Sequence, residues 1–493
     1  MNKKEAIKYL KREELNIQSA HAAIIALDLV YYGYIDSDKI HGVKYSPIFS
    51  YICSKRLKPF FQIIPQKIIS KLSAKTYSDY CKNPESLKKN IKEHKNLKTQ
   101  LNKLWQEYQK NKNDYSSKEL LKFYKEFVEI SRKWWRYGSI GEDKAEVINQ
   151  EITPIFAKRH NLSIEKAREI IRILSFPKKQ SIFSLERKDF LKICIALLEK
   201  KNTKIKIKEY IKNYFWFKTD FYKRIEITPE SILSDAKLEI KKRNKISISN
   251  ELVKIDKNFK SILGQKEKLS IELKFNDKDK KDIYFAEQST HWFDQRKKGM
   301  MIQMNYLFSF LKDISKKYDL GYYELADSTV EELGLFLKNK KKINETEKKK
   351  REKGIFMIHE KNKKAVIFYG KDAQEMLNTA VHYEVKNLKG TIASTGGLKK
   401  IKGEIKVIYN PAEDKFEQGK ILVTSMTRIE FVPLMRKAKA IITNEGGIAC
   451  HAAIVSRELG LPCIIGTKSA TRILKNNDIV ELNLKTGIIK ILK

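Results

Sequence analysis

Near the end of the chain, the run Thr443-Asn444-Glu445-Gly446-Gly447-Ile448-Ala449-Cys450-His451-Ala452-Ala453-Ile454-Val455-Ser456-Arg457-Glu458-Leu459-Gly460 leaves the backbone few options. Ala440-Ile441-Ile442-Thr443 is short, apolar and β-branched, as a buried strand end would be. Gly446-Gly447 allows a sharp turn that a Cβ would obstruct. From His451 the sequence continues as a helix, and Gly460 followed by Leu461-Pro462 stops it. The imidazole would then lie beside backbone N–H groups that lack helical partners, where the positive end of the helix dipole favours an anion. A histidine so placed suits the carriage of a phosphoryl group.

Composition bounds the remainder. A chain of 493 residues should hold roughly two to four domains. Its five cysteines, Cys53, Cys81, Cys194, Cys450 and Cys463, are scattered without metal-ligand spacing. That predicts reduced thiols and no metal site. The start, Met1 to Lys8, lacks the apolar core of a signal peptide, and the apolar run Ala22 to Ile35 is too short for a membrane span and contains Asp28. A cytoplasmic protein with no membrane partner is expected. The net charge of +40 would suit a polyanion, but acidic residues are mixed among the basic ones. Runs such as Lys338 to Lys342 and Lys348 to Arg351 read as solvated surface, and no nucleic-acid-binding motif is present, so nucleic acid is not the expected partner.

Residues 1–275 read as mainly helical, from apolar periodicity and scarce Gly and Pro. Helices are expected over Met1 to Leu15, His21 to Tyr34 (buried) and Glu85 to Lys110, whereas Pro59 and Pro65 make Arg56 to Ile69 loop-rich. Ser116 and Glu119 have capping-box spacing ahead of a helix carrying Leu120, Phe123, Phe127, Ile130, Trp134 and Trp135. Another helix begins at Leu162-Ser163-Ile164-Glu165 and ends at Ser175-Phe176-Pro177. Tyr210 to Tyr222 is strongly aromatic, and core packing between helices is the first reading of such clusters. The alternative is a ligand pocket, for which Trp134, Trp135, Trp216 and Tyr222 are the residues to inspect.

Residues 276–385 form the next segment. A charged, linker-like stretch, Asn276 to Lys281, precedes a long helix from Tyr284 to Tyr318. Glu287 and His291 are four apart on one helical face and Arg296 follows, which fits either a surface hydrogen-bonded pair or a substrate-binding, proton-transferring group. Gly321 to Leu325 reads as a short strand, and Ser328 with Glu331 as the capping box of a further helix. Gly354 to Ile358 and Lys364 to Phe368 alternate like strands.

From Leu388 glycines multiply and β-branched runs appear at Ile405 to Ile408, Ile421 to Thr424, Ala440 to Ile442, Cys463 to Ile465 and Ile479 to Leu482. Helices are expected between them at Ile429 to Lys437 and His451 to Leu459, making a compact mixed domain over 403–493 with 386–402 as its linker. Leu388 to Ser394, Gly419 to Thr424, Thr443 to Gly460 and Leu461 to Thr467 together resemble the mobile phosphohistidine domain of the phosphoenolpyruvate-utilising enzymes. That group includes phosphoenolpyruvate synthase, pyruvate phosphate dikinase and rifampin phosphotransferase, and the segment around His451 is most similar to the synthase branch. Tyr284 to Tyr318 with the following YYELADSTVEEL more distantly resembles the helical region before this domain in synthase-like and rifampin-phosphotransferase-like proteins.

The resemblance implies an α+β multidomain chain: a large, mainly α-helical N-terminal region, then a swivelling β/β/α phosphohistidine domain. It implies a kinase-type phosphotransferase component in which His451 is the carrier, with Thr443, Gly446, Gly447 and Arg457 matching the pattern around it. The threonine that is regulatory in the dikinases is replaced by Ala449, so that control should be absent. No glycine-rich phosphate loop with metal-binding carboxylates is evident before Leu388, and no pyruvate-binding barrel is expected after the mobile domain. ATP and Mg²⁺ are therefore expected on a separate ATP-grasp donor protein, with a small-molecule acceptor in the helical region. The alternative is a non-catalytic binding or regulatory protein that uses the swivelling domain as an interaction module.

Overall fold

The computed structural model of the chain describes residues 1–13, 15–20, 22–44, 46–52, 60–381, 388–409, 411, 414–427, 431–447 and 450–492. The protein is α+β and multidomain, with an N-terminal part rich in helices and a C-terminal mixed sheet. It divides into two compact units, each assembled from separate stretches of chain. Met1–Glu151, Asp220–Lys223 and Gly299–Val385 make one; Ile152–Thr219, Arg224–Lys298 and Lys386–Lys493 make the other. The expected segment 1–275 thus contributes to both units, as does 276–385, while 386–402 and 403–493 lie in the second. Among the described residues no helix is long and apolar enough to cross a membrane.

In the first unit, helices Ile24–Ile35, Gln66–Lys82, Glu85–Asn111, Ser117–Val147 and Val330–Asn339 pack around an aromatic core. Trp134 and Trp135 meet edge to face at 4.9 Å, His94 lies over Trp134, and Trp135 donates its indole N–H to Gln303. These rings pack among side chains as core, the first of the two sequence readings. The Ser116–Glu119 capping box forms as expected: Glu119 N donates to Ser116 Oγ at 3.3 Å and Ser116 N to Glu119 Oε2 at 2.7 Å.

The same unit contains an antiparallel five-stranded sheet, ordered Leu15–Ala20, Phe60–Pro65, Ile48–Ile52, Ile355–His359, Val366–Tyr369. The last two strands form where the sequence predicts them, though the first is buried throughout rather than alternating. Leu15–Ala20 takes the place of the helix end at Leu15, and Phe60–Pro65 that of the loop over Arg56 to Ile69, whose residues 56–59 lie outside those described. Their pairing partners are distant in sequence: Ile48–Ile52 bonds to Ile355–His359. Three further expectations are corrected. Gly321 to Leu325 is not a strand: Gly321 precedes helix Tyr322–Ala326, which buries Leu325 and Ala326. The capping box lies one residue later than expected, with Thr329 and Glu332 exchanging bonds while Ser328 Oγ turns back to Leu325 O. Asn276 to Lys281 is not a linker, because Asn276 and Asp279 cap the 42-residue helix Asp277–Tyr318 reciprocally. Asp279 and Asp282 then pair with Arg159.

The second unit combines helices Ile164–Leu174, Ile182–Leu198, Lys245–Glu272 and the N-terminal part of Asp277–Tyr318 with a seven-stranded sheet. Ser163 caps the first of these helices, as the sequence predicts. The sheet order is Ile489–Ile491, Ile479–Asn483, Lys400–Val407, Ile421–Thr424, Ala440–Thr443, Cys463–Ile465, Thr391–Ser394. The four strands from Lys400–Val407 to Cys463–Ile465 run parallel, and antiparallel strands flank them on both sides. Parallel neighbours need crossover connections, supplied here by helices Val432–Lys437 and His451–Leu459. Ile421, Val423, Ala440, Ile442 and Ile464 are fully buried, which accounts for their unbroken apolar runs. Strand Thr391–Ser394 and the start of Lys400–Val407 lie within the span expected as linker, so 386–402 is partly sheet.

Candidate functional site

In open parallel sheets the loops beyond the carboxyl ends of the strands gather functional groups, and two neighbouring loops do so here. Strands Ile421–Thr424 and Ala440–Thr443 pair in register, Thr424 opposite Thr443. The chain beyond them stays stitched together: Asn444 N donates to Thr424 O at 3.1 Å, and Glu445 N to Ser425 O at 3.0 Å. Thr443 braces this turn, its hydroxyl donating to Glu445 O at 2.6 Å while its own carbonyl accepts from Thr467 N and Oγ1. Gly446 has φ +109°, and a Cβ there would stand 2.5 Å from Cys450 Sγ. Gly447 O accepts from Cys450 N at 2.9 Å, closing the turn that starts the helix. Ala449 lies outside the described residues.

Helix His451–Leu459 begins as the sequence predicts and ends at Gly460, which takes the left-handed conformation at φ 66°. Cys450 is its N-cap residue but its side chain makes no capping bond, and burial pushes its thiol pKa up. His451 is 3% exposed. Its Nδ1 lies 2.8 Å from Thr427 Oγ1, in the loop that follows the neighbouring strand. When Nδ1 carries the proton and donates it to that hydroxyl, the lone pair resides on Nε2. Phe183 meets the imidazole edge to face, centroids 4.6 Å apart.

Phe183 belongs to helix Ile182–Leu198, whose N-terminus faces the histidine helix at a second point. Glu458 follows His451 by seven residues, about two turns and on the same face. Its carboxylate accepts from Ser181 N at 3.2 Å, from Ser181 Oγ, and from Ser184 Oγ at 2.8 Å. Asp294 accepts from Ile182 N at 3.1 Å at the same helix end. Burial, and then the neighbouring Glu458 charge, raise the Asp294 pKa to about 7; burial likewise raises that of Glu458.

Arg457 is six residues from His451, about 240° round the helix, and so is turned from the histidine face. Its Nε donates to Ala393 O at 3.0 Å on the edge strand, and burial followed by the nearby Arg172 charge lowers its pKa to about 9. Glu287 forms a buried ion pair with Lys266 at 2.5 Å, and Lys266 also donates to Phe176 O at 3.0 Å. His291 is half-buried, and burial, then Lys179, lowers its pKa. Arg296 is buried with its guanidinium 5.0 Å from the Phe293 ring centroid. Trp216 is buried beneath the Lys298 ammonium at 5.7 Å. Tyr222 belongs to the other unit, where it stacks on Tyr323. Among the described residues no group of three or more His, Cys, Asp or Glu is placed to hold a metal ion.

Residues 416–487, which contain Thr427, His451 and Glu458, match the family model of the PEP-utilising enzyme, mobile domain. This stretch is a PEP-utilising enzyme mobile domain. The C-terminal part is 46% identical over 120 residues to a probable phosphoenolpyruvate synthase of Archaeoglobus fulgidus, a match covering 24% of this chain and 15% of that protein. It is 48% identical over 103 residues to the probable synthase of Methanothermobacter thermautotrophicus, 21% of this chain and 15% of the relative. Against the phosphoenolpyruvate synthase of Pyrococcus furiosus the figures are 49% over 104 residues, 21% and 12%. The chain thus matches less than a sixth of the length of each of these relatives.

The strand, turn and helix that hold His451 lie in one contiguous stretch of sequence, and the residues around them do not. Thr427 reaches the histidine through strand register and Phe183 through helix packing, while Asp294 meets the end of the helix that carries Phe183. Only Glu458 had a readable signal, its two-turn spacing from His451.

Proposed function

We propose that this chain is a phosphotransferase component in which His451 carries a phosphoryl group between a donor and an acceptor. The observation that carries this reading is the geometry of His451 within the mobile domain: a helix-start imidazole whose Nδ1 is held 2.8 Å from Thr427 Oγ1. With Nδ1 donating, the Nε2 lone pair attacks phosphorus. The N–P bond forms as the bond from phosphorus to its leaving oxygen breaks, and backbone dipoles at the helix start stabilise the added charge. In the second step an acceptor oxygen attacks, the N–P bond breaks, and its electron pair returns to Nε2. The acceptor's proton passes to a neighbouring base.

We assign ATP, Mg²⁺ and the first step to a separate ATP-grasp donor protein in the cytoplasm, and the acceptor, a small molecule, to the helical part of the chain. Incubating the protein with labelled ATP and candidate ATP-grasp proteins tests this. Acid-labile phosphate on the wild type but not on His451→Ala is expected; label that persists in the variant overturns the carrier role. The burial of His451 against Phe183 supports a second reading, a regulatory protein using the mobile domain as an interaction module. Absence of label with every donor would favour it.

A further inference from the structure

His451 and Glu458 stand on one face of their helix, about 10 Å apart along its axis, and both meet the N-terminal turn of helix Ile182–Leu198. We propose that Glu458 is a positioning residue, a latch whose carboxylate seats the mobile domain on this helix and sets the pose in which Phe183 covers His451; this rests on His451 being the phosphoryl carrier.

The chemistry of the contact suits a reversible seat. A helix N-terminus presents backbone N–H groups without internal partners and a positive dipole end, which a carboxylate satisfies. Ser181 is the N-cap residue of its own helix, its Oγ accepting from Ser184 N at 3.2 Å, and the same hydroxyl donates to Glu458. With the Ser184 hydroxyl and the Ser181 N–H, Glu458 receives three hydrogen bonds while only 8% exposed. Two contacts flank the seat. Asn258 Nδ2 donates to Glu458 O at 3.2 Å, and Arg436 of the mobile domain lies 3.5 Å from Glu186 on the seating helix. Bound there, the carboxylate holds His451 at 3% exposure, beyond the reach of a donor protein. Charging the histidine therefore requires Glu458 to leave the helix end, and delivery into the helical part of the unit occurs with it seated. Asp294, 5% exposed, accepts from Ile182 N at the same turn, so two carboxyl groups share this helix end.

The accessibility of His451 reads the latch without knowledge of donor or acceptor. Full-length protein is treated with diethyl pyrocarbonate, and modification at each of the eight histidines is followed by peptide mass spectrometry. Because reaction proceeds through the open form, its rate follows the open population. Glu458→Ala, and separately the double change Ser181→Ala with Ser184→Ala, should speed modification of His451 at least ten-fold, equivalent to about 1.4 kcal/mol, with unchanged far-ultraviolet circular dichroism. Glu458→Gln, which keeps an acceptor for the Ser181 N–H but loses the charge, should open His451 measurably less than Glu458→Ala does. If Glu458→Ala does not fold, the serine pair decides. Wild-type reactivity in the folded variants, or equal opening by Glu458→Gln and Glu458→Ala, overturns the latch. Phosphoramidate applied to the opened variant separates the underlying reading: a reactive His451 that takes no acid-labile phosphate sinks the carrier role and leaves the latch standing.

Discussion

Replacing Thr427 by valine keeps β-branching and nearly the same volume but removes the hydroxyl 2.8 Å from His451 Nδ1. Thr427 and His451 are each 3% exposed, so water does not take the lost hydroxyl's place. A buried polar atom left without its partner costs about 1–3 kcal/mol, which is roughly 5- to 150-fold in an equilibrium. The cost falls on the tautomer that keeps its proton on Nδ1, the one with a nucleophilic Nε2. Donor-dependent labelling of His451 should therefore slow by that factor, with little change in the urea midpoint of the remainder of the chain. Nitrogen-15 spectra of histidine-labelled protein should show the proton moving from Nδ1 to Nε2, and Thr427→Ser should restore both readouts. Wild-type labelling in Thr427→Val, with the proton still on Nδ1, would refute this assignment.

Two further outcomes follow from the same unit. Gly446→Ala places a Cβ against Cys450 Sγ at a positive φ, so calorimetry should show a lower unfolding temperature for the mobile domain, by about 1–3 kcal/mol of stability; an unchanged transition would contradict the turn geometry. Asp294, facing Glu458, Lys297 and Lys298 and bonded to Ile182 N, has a folded-state pKa raised by burial from the ordinary aspartate range to about 7. The folded state thus binds more protons across that window, so this group's stabilising contribution is greatest below about 4 and is lost as pH rises to about 7. Asp294→Asn removes that decline, and its melting temperature relative to wild type should increase from pH 4 to pH 7; a difference that is flat or falling would contradict the shift.

The stretch around His451 was legible because its strand, turn and helix are dictated locally: buried β-branched residues, a glycine held at φ +109°, and a helix stopped by a left-handed Gly460. The parallel core strands were legible for the same reason, being continuous apolar runs. The three N-terminal strands were not, since their order depends on pairing Ile48–Ile52 with a strand some 300 residues later. Proline at the end of Phe60–Pro65 also argued locally for a loop. Tyr322–Ala326 looked like a strand because aromatic residues favour extended chain, yet burial of Leu325 and Ala326 decides for helix. At the site, Glu287, His291 and Arg296 share a helix with Asp294, and spacing alone could not show that Asp294 is the one meeting the end of helix Ile182–Leu198.

Phosphoryl carriage by His451 is tested by peptide mapping of the intact chain, under alkaline conditions, after incubation with an ATP-grasp donor and ATP. One phosphorylated histidine is expected, on the peptide containing His451, released by acid and absent from His451→Ala. Phosphate on any other residue, or an undiminished signal in the variant, would contradict it.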